Sequence, residues 1–201
     1  MQLDYKNISL NTEWIKSGLD SIVYRESMNS TLDIALNKDH QIKDARKIVI
    51  TDNQTNGKGT HGKKWFSTPY KDLTFSLILG KDYYFTQDLI DQCCTAMLDV
   101  LSFYEIEGKV KHPNDIYVNN KKIIGMLLSN IQIDQENNKT YQALSIGMNV
   151  NSEIDIKTFD FDAKVSSTSL FLELNRLINR ERLLKLMIEK IDAVIQKQVH
   201  R

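Results

Sequence analysis

The strongest constraint on how this chain can fold is a glycine cluster and what flanks it. The segment Gly57 to Ser67, GKGTHGKKWFS, packs three of the chain's eight glycines into six residues, with basic side chains between and after them. Glycine permits positive φ and lets backbone N–H groups approach a ligand closely, and neighbouring lysines add positive charge. The segment therefore reads as a cradle for a phosphate or another anion. Its spacing also satisfies G-x-G-x-x-G, but a dinucleotide site needs a strand running into the first glycine and a helix starting at the last. Here the apolar run Ile48-Val49-Ile50 is separated from Gly57 by the polar stretch TDNQTN. Behind Gly62 comes KKWFSTPYKD, in which Pro69 and the lack of helical periodicity predict a loop. The next element, Leu73 to Leu79, reads as a strand. A loop between two strands excludes the Rossmann arrangement.

The chain has 201 residues, enough for one domain with a sizeable core, and residues 1–201 are read as a single domain. Basic and acidic residues both number 26, a balance that argues against a protein that coats nucleic acid. No apolar run approaches the ~20 residues that span a bilayer. The N-terminus MQLDYKNISL lacks the basic start and apolar centre of a secretory signal, so the expected location is the cytoplasm, away from membranes. The only cysteines, Cys93 and Cys94, are adjacent in a predicted helix and read as reduced core residues.

Periodicity and turn residues predict the elements. Ile22 to Tyr24 is a short strand, and Ser27, Asn29 or Ser30 caps a helix to about Asn37. Lys47 to Thr51 and Leu73 to Leu79 are strands, and Thr86 caps a long amphipathic helix to about Tyr104. Gly108 to Lys111, Ile116 to Val118, Ile123 to Ile133 and Tyr141 to Asn149 are strands. Asn119-Asn120 and Gln135 to Asn138 supply turns. Helices follow over Ser166 to Leu174 and Arg180 to about Val199. Short turns between successive strands imply antiparallel pairing, so the expected class is α+β: a mixed, mostly antiparallel sheet packed with helices.

A second stretch, Val110 to Asn130, carries chemistry. Pro113 fixes a turn before Asn114 and Asp115, and a hairpin brings Lys121 and Lys122 back beside them, followed by Gly125. An amide, a carboxylate and a lysine then lie on neighbouring strands. Asp115 could hold magnesium, which prefers oxygen ligands and bridges to phosphates. Lys122 could neutralise an oxyanion or phosphate. A third stretch, Ser145 to Asn151, ends a strand with a glycine and two asparagines, groups able to hydrogen-bond a purine edge.

Together these stretches resemble the catalytic domain of the biotin protein ligases. That family carries a G-R-G-R-x-G-R-x-W loop, a K-W-P-N-D turn, a K-[KL]-x-G-[IM]-L strand and a G-[IL]-N-[VM] strand end, in that order. This chain has GKGTHGKKW, KHPND, KKIIGML and GMNVN in the same order, and its Glu26 to Asn29, E-S-M-N, is similar to the family's D-S-T-N. The similarity runs from about Tyr24 to the C-terminal helix.

The resemblance implies the fold shared by class II aminoacyl-tRNA synthetases and biotin ligases, and a two-step reaction with ATP and biotin as substrates and Mg2+ as cofactor. Biotin carboxylate attacks the α-phosphate of ATP, giving biotinyl-5′-AMP and pyrophosphate. A lysine of a biotin carboxyl carrier domain then attacks the mixed anhydride and releases AMP. Carried over by motif, Ser27, Asn29 and Gln54 stand at the biotin ureido ring, and Met28, in place of a threonine, is a further biotin-binding position. Gly57, Lys58, Gly59, Thr60 and Gly62 form the loop that closes over the adenylate. Lys122 stands at the biotin carboxylate and α-phosphate, and Gly125 where a side chain would block the ligand. Lys58, Trp65, Lys111, Asn114, Lys122 and Asn149 stand on the ATP side. Lys122 and Asp115 are the catalytic pair, with Asp115 as the magnesium-linked carboxylate.

The departures concern adenylate retention more than reaction class. Thr60 replaces the loop's second arginine, Lys58 keeps the first arginine's charge without its bidentate fork, and His112 replaces a tryptophan. The resemblance also leads to the expectation of a shortened form with no DNA-binding segment, no DNA partner and no C-terminal β-domain; a homodimer is compatible with it. Blander readings apply to several residues: Lys121 as a solvated turn residue, Met28 as an apolar filler, and His40, His61 and His200 as surface groups. Two other functions compete. A lipoate-type acyl ligase would carry an R-R-x-[ST]-G-G-G-x-V loop, and no G-G-G occurs here. A pseudoenzyme or binding module would hold biotin or a nucleotide without turnover.

Overall fold

The computed structural model describes residues 1–18, 21–80, 84–134, 139–153 and 166–200. The chain enters the sheet with β1 (Ile22–Met28) and turns through two short helices, α1 (Thr31–Ala35) and α2 (Lys38–Lys43). Ser30 caps the first, its Oγ accepting from the N–H of Leu32; Asn37 caps the second in the same way, accepting from Asp39. The helix expected to about Asn37 ends at Ala35, and Asn37 instead caps α2, a helix that periodicity did not reveal. His40, expected on the surface, is half-buried with its ring Nδ1 2.7 Å from Asp44. Next come β2 (Ile48–Gln54), a hairpin of β3 (Gly57–Lys58) and β4 (Lys64–Trp65), and β5 (Leu73–Gly80).

The helix α3 (Gln87–Phe103) follows, with Thr86 at its N-cap position but no side-chain bond from it. Three strands form the next meander: β6 (Lys109–Lys111), β7 (Asp115–Val118) and β8 (Lys121–Asp134). Between the last two, Asn119 and Asn120 both take positive φ, 49° and 61°, which a two-residue type I′ hairpin turn requires. The sheet closes with β9 (Lys139–Met148), and the turn expected at residues 135–138 lies outside the described residues. Two helices end the chain, α4 (Leu170–Leu174) and α5 (Arg180–Val199). The helix expected from Ser166 starts only at Leu170; Ser167 instead pairs in parallel with Lys122.

Seven strands lie in the order β1-β2-β5-β9-β8-β7-β6. All neighbouring pairs are antiparallel except β1 and β2, which run parallel. That one parallel pair makes the sheet mixed and mostly antiparallel, as expected, and its cause is the α1–α2 crossover, which returns the chain to the same end of the sheet. Strand alternation then makes the two faces unlike. Leu73, Phe75, Leu77 and Leu79 of β5, with Leu144, Ile146 and Met148 of β9, point into the main core, which α3 and α5 cover. Cys93 and Cys94 lie buried in that core as free thiols, and burial pushes Cys94 up to about 11. The opposite face carries small or polar residues, Thr74, Ser76, Ser145 and Gly147, beside a minor cluster of Leu32, Ala35, Val49, Ile78 and Ala143. Small side chains under α1 leave a cleft there, and the site occupies it.

Candidate active site

The cleft encloses about 450 Å3 open to solvent, between α1, the β3–β4 hairpin and the centre of the sheet. Its floor is a pair of glycines, Gly125 of β8 and Gly147 of β9, which face each other in register. The indole of Trp65 lies on this floor. A Cβ added at Gly147 would come 2.2 Å from Trp65 Cε2, and one at Gly125 would come 2.9 Å from its Cζ3. Any larger residue at either position would expel the ring. Trp65 Nε1 is buried and has no hydrogen-bond partner among the described residues.

Lys122 reaches this site through a β-bulge. Asp115 pairs with Gly125 and Ile116 with Ile124, but Tyr117 pairs with Lys122, so Ile123 is an extra residue. In a regular strand Lys122 and Gly125, three apart, would face opposite sides of the sheet. The bulge lets Ile123 and Ile124 both enter the core and turns Lys122 to the cleft. There its Nζ lies 2.6 Å from Asp115 Oδ1 and 5.4 Å from the Trp65 ring centre. The Asp115 contact is a short ion pair rather than an aligned hydrogen bond. The Lys122 main chain is held by the segment before α4: its N–H donates to the Ser166 carbonyl and its carbonyl accepts from the Thr168 N–H.

The remaining walls mix polar groups with the apolar side chains of Leu32, Met126, Leu127 and Ile146. Gln54 closes β2, and its Oε1 accepts the backbone N–H of Thr31 at 2.8 Å. Asn114 packs beside Asp115, with its amide on the carbonyl of Met126. Lys58 forms an ion pair with Asp33 of α1, which ties the hairpin across the cleft. The glycine segment, expected as a plain loop, is a two-stranded hairpin with a 3-10 turn at Thr60–Gly62, because Gly57 allows β3 to press against the Trp65 carbonyl.

Of the residues singled out by sequence, the structure gathers Gln54, Lys58, Gly59, Thr60, Trp65, Asn114, Asp115, Lys122 and Gly125 around one cleft. It leaves others out. Ser27 accepts a bond from Asn53 on the exposed end of β1, Met28 packs against the minor cluster, and Asn29 accepts from Thr55. Gly57 and Gly62 shape the hairpin without lining the cleft. Lys111 lies on the edge strand over Tyr117, and Asn149 is buried with its amide on the carbonyl of Thr168. His112 is exposed.

Ser30, Thr31, Leu32, Thr74, Met126 and Leu127 line the cleft although no role there was expected of them, and Ser145, Ile146 and Gly147 join them from the stretch read as facing a purine. One signal was present. The D-S-T-N pattern fits the chain twice, as E-S-M-N and, three residues later, as N-S-T-L from Asn29 to Leu32. The second register puts its serine and threonine in the cleft; the first does not.

A magnesium site built wholly from side chains does not fit, since no cluster of three or more His, Cys, Asp or Glu that could hold a metal exists among the described residues. Asp115, with one oxygen at Lys122, fits a magnesium ion that arrives with phosphates and water as its main ligands and takes one carboxylate. No helix among the described residues is long and apolar enough to cross a membrane.

Comparison with known proteins gives the family and the fold. The bifunctional ligase/repressor BirA of Bacillus spizizenii is 28% identical over 152 residues, covering 74% of this chain and 46% of that protein. BirA of Bacillus subtilis is 27% identical over 162 residues, with 79% and 49% covered. The chain thus spans about half the length of the curated relatives it matches. The structure of biotin protein ligase from Aquifex aeolicus in complex with biotin and ATP superposes with a TM-score of 0.71 at 23% identity, over 88% of this chain and 71% of that one, a likeness of fold. The model of the biotin/lipoate A/B protein ligase family matches residues 24–151, from β1 through the cleft to the end of β9, and the chain belongs to that family.

Proposed function

We propose that this protein joins biotin to a lysine of a biotin carboxyl carrier domain through biotinyl-5′-AMP. The observation that carries the reading is Lys122, turned by the bulge into a cleft that also presents the neutral polar groups of Gln54 and Thr31 among apolar side chains. Both reactants of the first step are anions. An ammonium at Lys122 offsets their repulsion as a biotin carboxylate oxygen bonds to the α-phosphorus and the bond to pyrophosphate breaks. Magnesium brought with ATP would add charge neutralisation, with Asp115 as its protein ligand. Asp115 also holds Lys122 in place. In the second step a carrier lysine amine attacks the acyl carbon, AMP leaves, and the amine proton passes to solvent. Gln54 and Thr31 suit the polar head of biotin, and Trp65 closes the cleft above the glycine floor.

The test is ATP–pyrophosphate exchange with Mg-ATP and biotin, lipoic acid or neither. Exchange that depends on biotin supports the reading. Exchange with lipoic acid alone would assign the other branch of the family, and binding of biotin without exchange would assign a binding module.

A further inference from the structure

One wall of the cleft is backed by four side chains from four elements: Gln54 of β2, Thr31 of α1, Ser76 of β5 and Ser145 of β9. The Thr31 N–H donates to Gln54 Oε1 at 2.8 Å, and Thr31 Oγ1 lies 3.1 Å from the same oxygen. Ser76 Oγ lies 2.8 Å from Thr31 Oγ1 and 2.7 Å from Ser145 Oγ. A backbone N–H can only donate, so the Gln54 atom facing it is the carbonyl oxygen. That oxygen has no hydrogen, so the Thr31 hydroxyl donates to it and spends its single hydrogen. Ser76 must then donate to Thr31, and Ser145 must donate to Ser76. Every hydrogen in the chain is oriented by one backbone amide.

The two ends of this relay therefore differ. Gln54, Thr31 and Ser145 line the cleft, whereas Ser76 is fully buried. Gln54, its oxygen used twice, offers the amide nitrogen as a donor. Ser145, its hydrogen spent on Ser76, offers only lone pairs. We infer that Ser76 is a positioning residue that fixes the hydrogen-bond polarity of the cleft, donor at Gln54 and acceptor at Ser145. This polarity suits a neutral head group that carries both a carbonyl oxygen and an N–H, as a cyclic urea does. A dithiolane ring has neither and would leave both wall groups unpaired. The inference rests on the biotin reading above and deepens it.

Isothermal titration of the whole chain tests it, with biotin, lipoic acid and the two cyclic-carbamate analogues of biotin in which one or the other ring N–H is replaced by oxygen. The wild type should bind biotin at least a hundredfold more tightly than lipoic acid. It should bind biotin about tenfold more tightly than one of the carbamates, whose ring oxygen would meet the lone pairs of Ser145. In Ser76→Ala the Ser145 hydroxyl is free to turn and donate, so that preference should shrink to about twofold or less. Ser145→Ala, at a partly exposed position, should shrink it as well and serves if Ser76→Ala does not fold. Biotin preference over both carbamates that persists unchanged in a folded variant overturns the polarity assignment. Lipoic acid bound more tightly than biotin by the wild type overturns the biotin reading itself.

Discussion

At the scale of single residues, the chemistry turns on which face of a strand a side chain takes, and Lys122 is the clearest case. Its ammonium belongs to the cleft only because Ile123 is extra, while its neighbour Lys121 points to solvent. Lys122→Ala should lower biotin-dependent exchange by about 10²–10³, the loss seen when one preorganised charge-stabilising donor is removed. Lys121→Ala should leave exchange near the wild-type rate. A soluble Lys122→Ala that exchanges normally, with an unchanged melting temperature, would remove Lys122 from the mechanism. Lys122, Asn114, Asp115, Gln54 and Gly125 were legible in the sequence because spaced motifs carry them. The bulge was not: KKIIG shows two isoleucines that both want burial, but not which strand position absorbs the extra residue. Ser30 and Thr31 were hidden by a motif that fits two registers. Ser76 and Ser145 look like ordinary strand residues until the pairing of β5 with β9 sets them opposite each other.

At the scale of elements, the hairpin that spans the cleft is tied down by one exposed contact, Lys58 to Asp33, and by the ring of Trp65. A phosphate entering the cleft must compete with Asp33 for Lys58. Trypsin should therefore cut near Lys58, Lys63 and Lys64 more slowly once biotin and Mg-ATP are bound. Asp33→Asn should speed cleavage of the ligand-free protein by no more than about fivefold, because an exposed pair contributes about 0.2–1 kcal/mol. Equal cleavage with and without ligands would show that the hairpin does not respond to them. Elements with long apolar periods were read well: α5 was expected over Arg180 to about Val199 and occupies those residues. The misreadings were short elements. Propensity is weak over five or six residues, so α2 and the extended run before α4 depended on tertiary contacts, such as the bond from Thr168 N–H to the Lys122 carbonyl.

At the scale of the whole molecule, the N-terminal residues, β1, β2 and the start of α5 are joined through a buried carboxylate. Asp52 of β2 takes the guanidinium of Arg180, at the start of α5, at 2.7 Å, and its other oxygen takes the Leu3 N–H and the Tyr24 hydroxyl. Arg180 also donates to the carbonyls of Asp72 and Met1. None of these partners is near in sequence, and nothing in a single chain of letters pairs residue 52 with residue 180. Arg180→Met should cost about 3–5 kcal/mol in urea unfolding, since it strands the Asp52 charge. The double variant Arg180→Met with Asp52→Asn should recover part of that loss. The same hub makes a prediction about alkaline pH. Burial first, and the neighbouring Asp52 after it, push the Tyr24 hydroxyl up to about 12. Below pH 10 both the folded and the unfolded chain hold this proton, so it contributes nothing to the pH dependence. Between about 10 and 12 the unfolded chain releases it while the folded chain keeps it, so stability falls as pH rises. The comparison with Tyr24→Phe isolates this hydroxyl from every other group. The urea midpoint of the wild type should decline more steeply from pH 9.5 to 11 than that of the phenylalanine variant, and parallel declines would show that Tyr24 does not carry the effect.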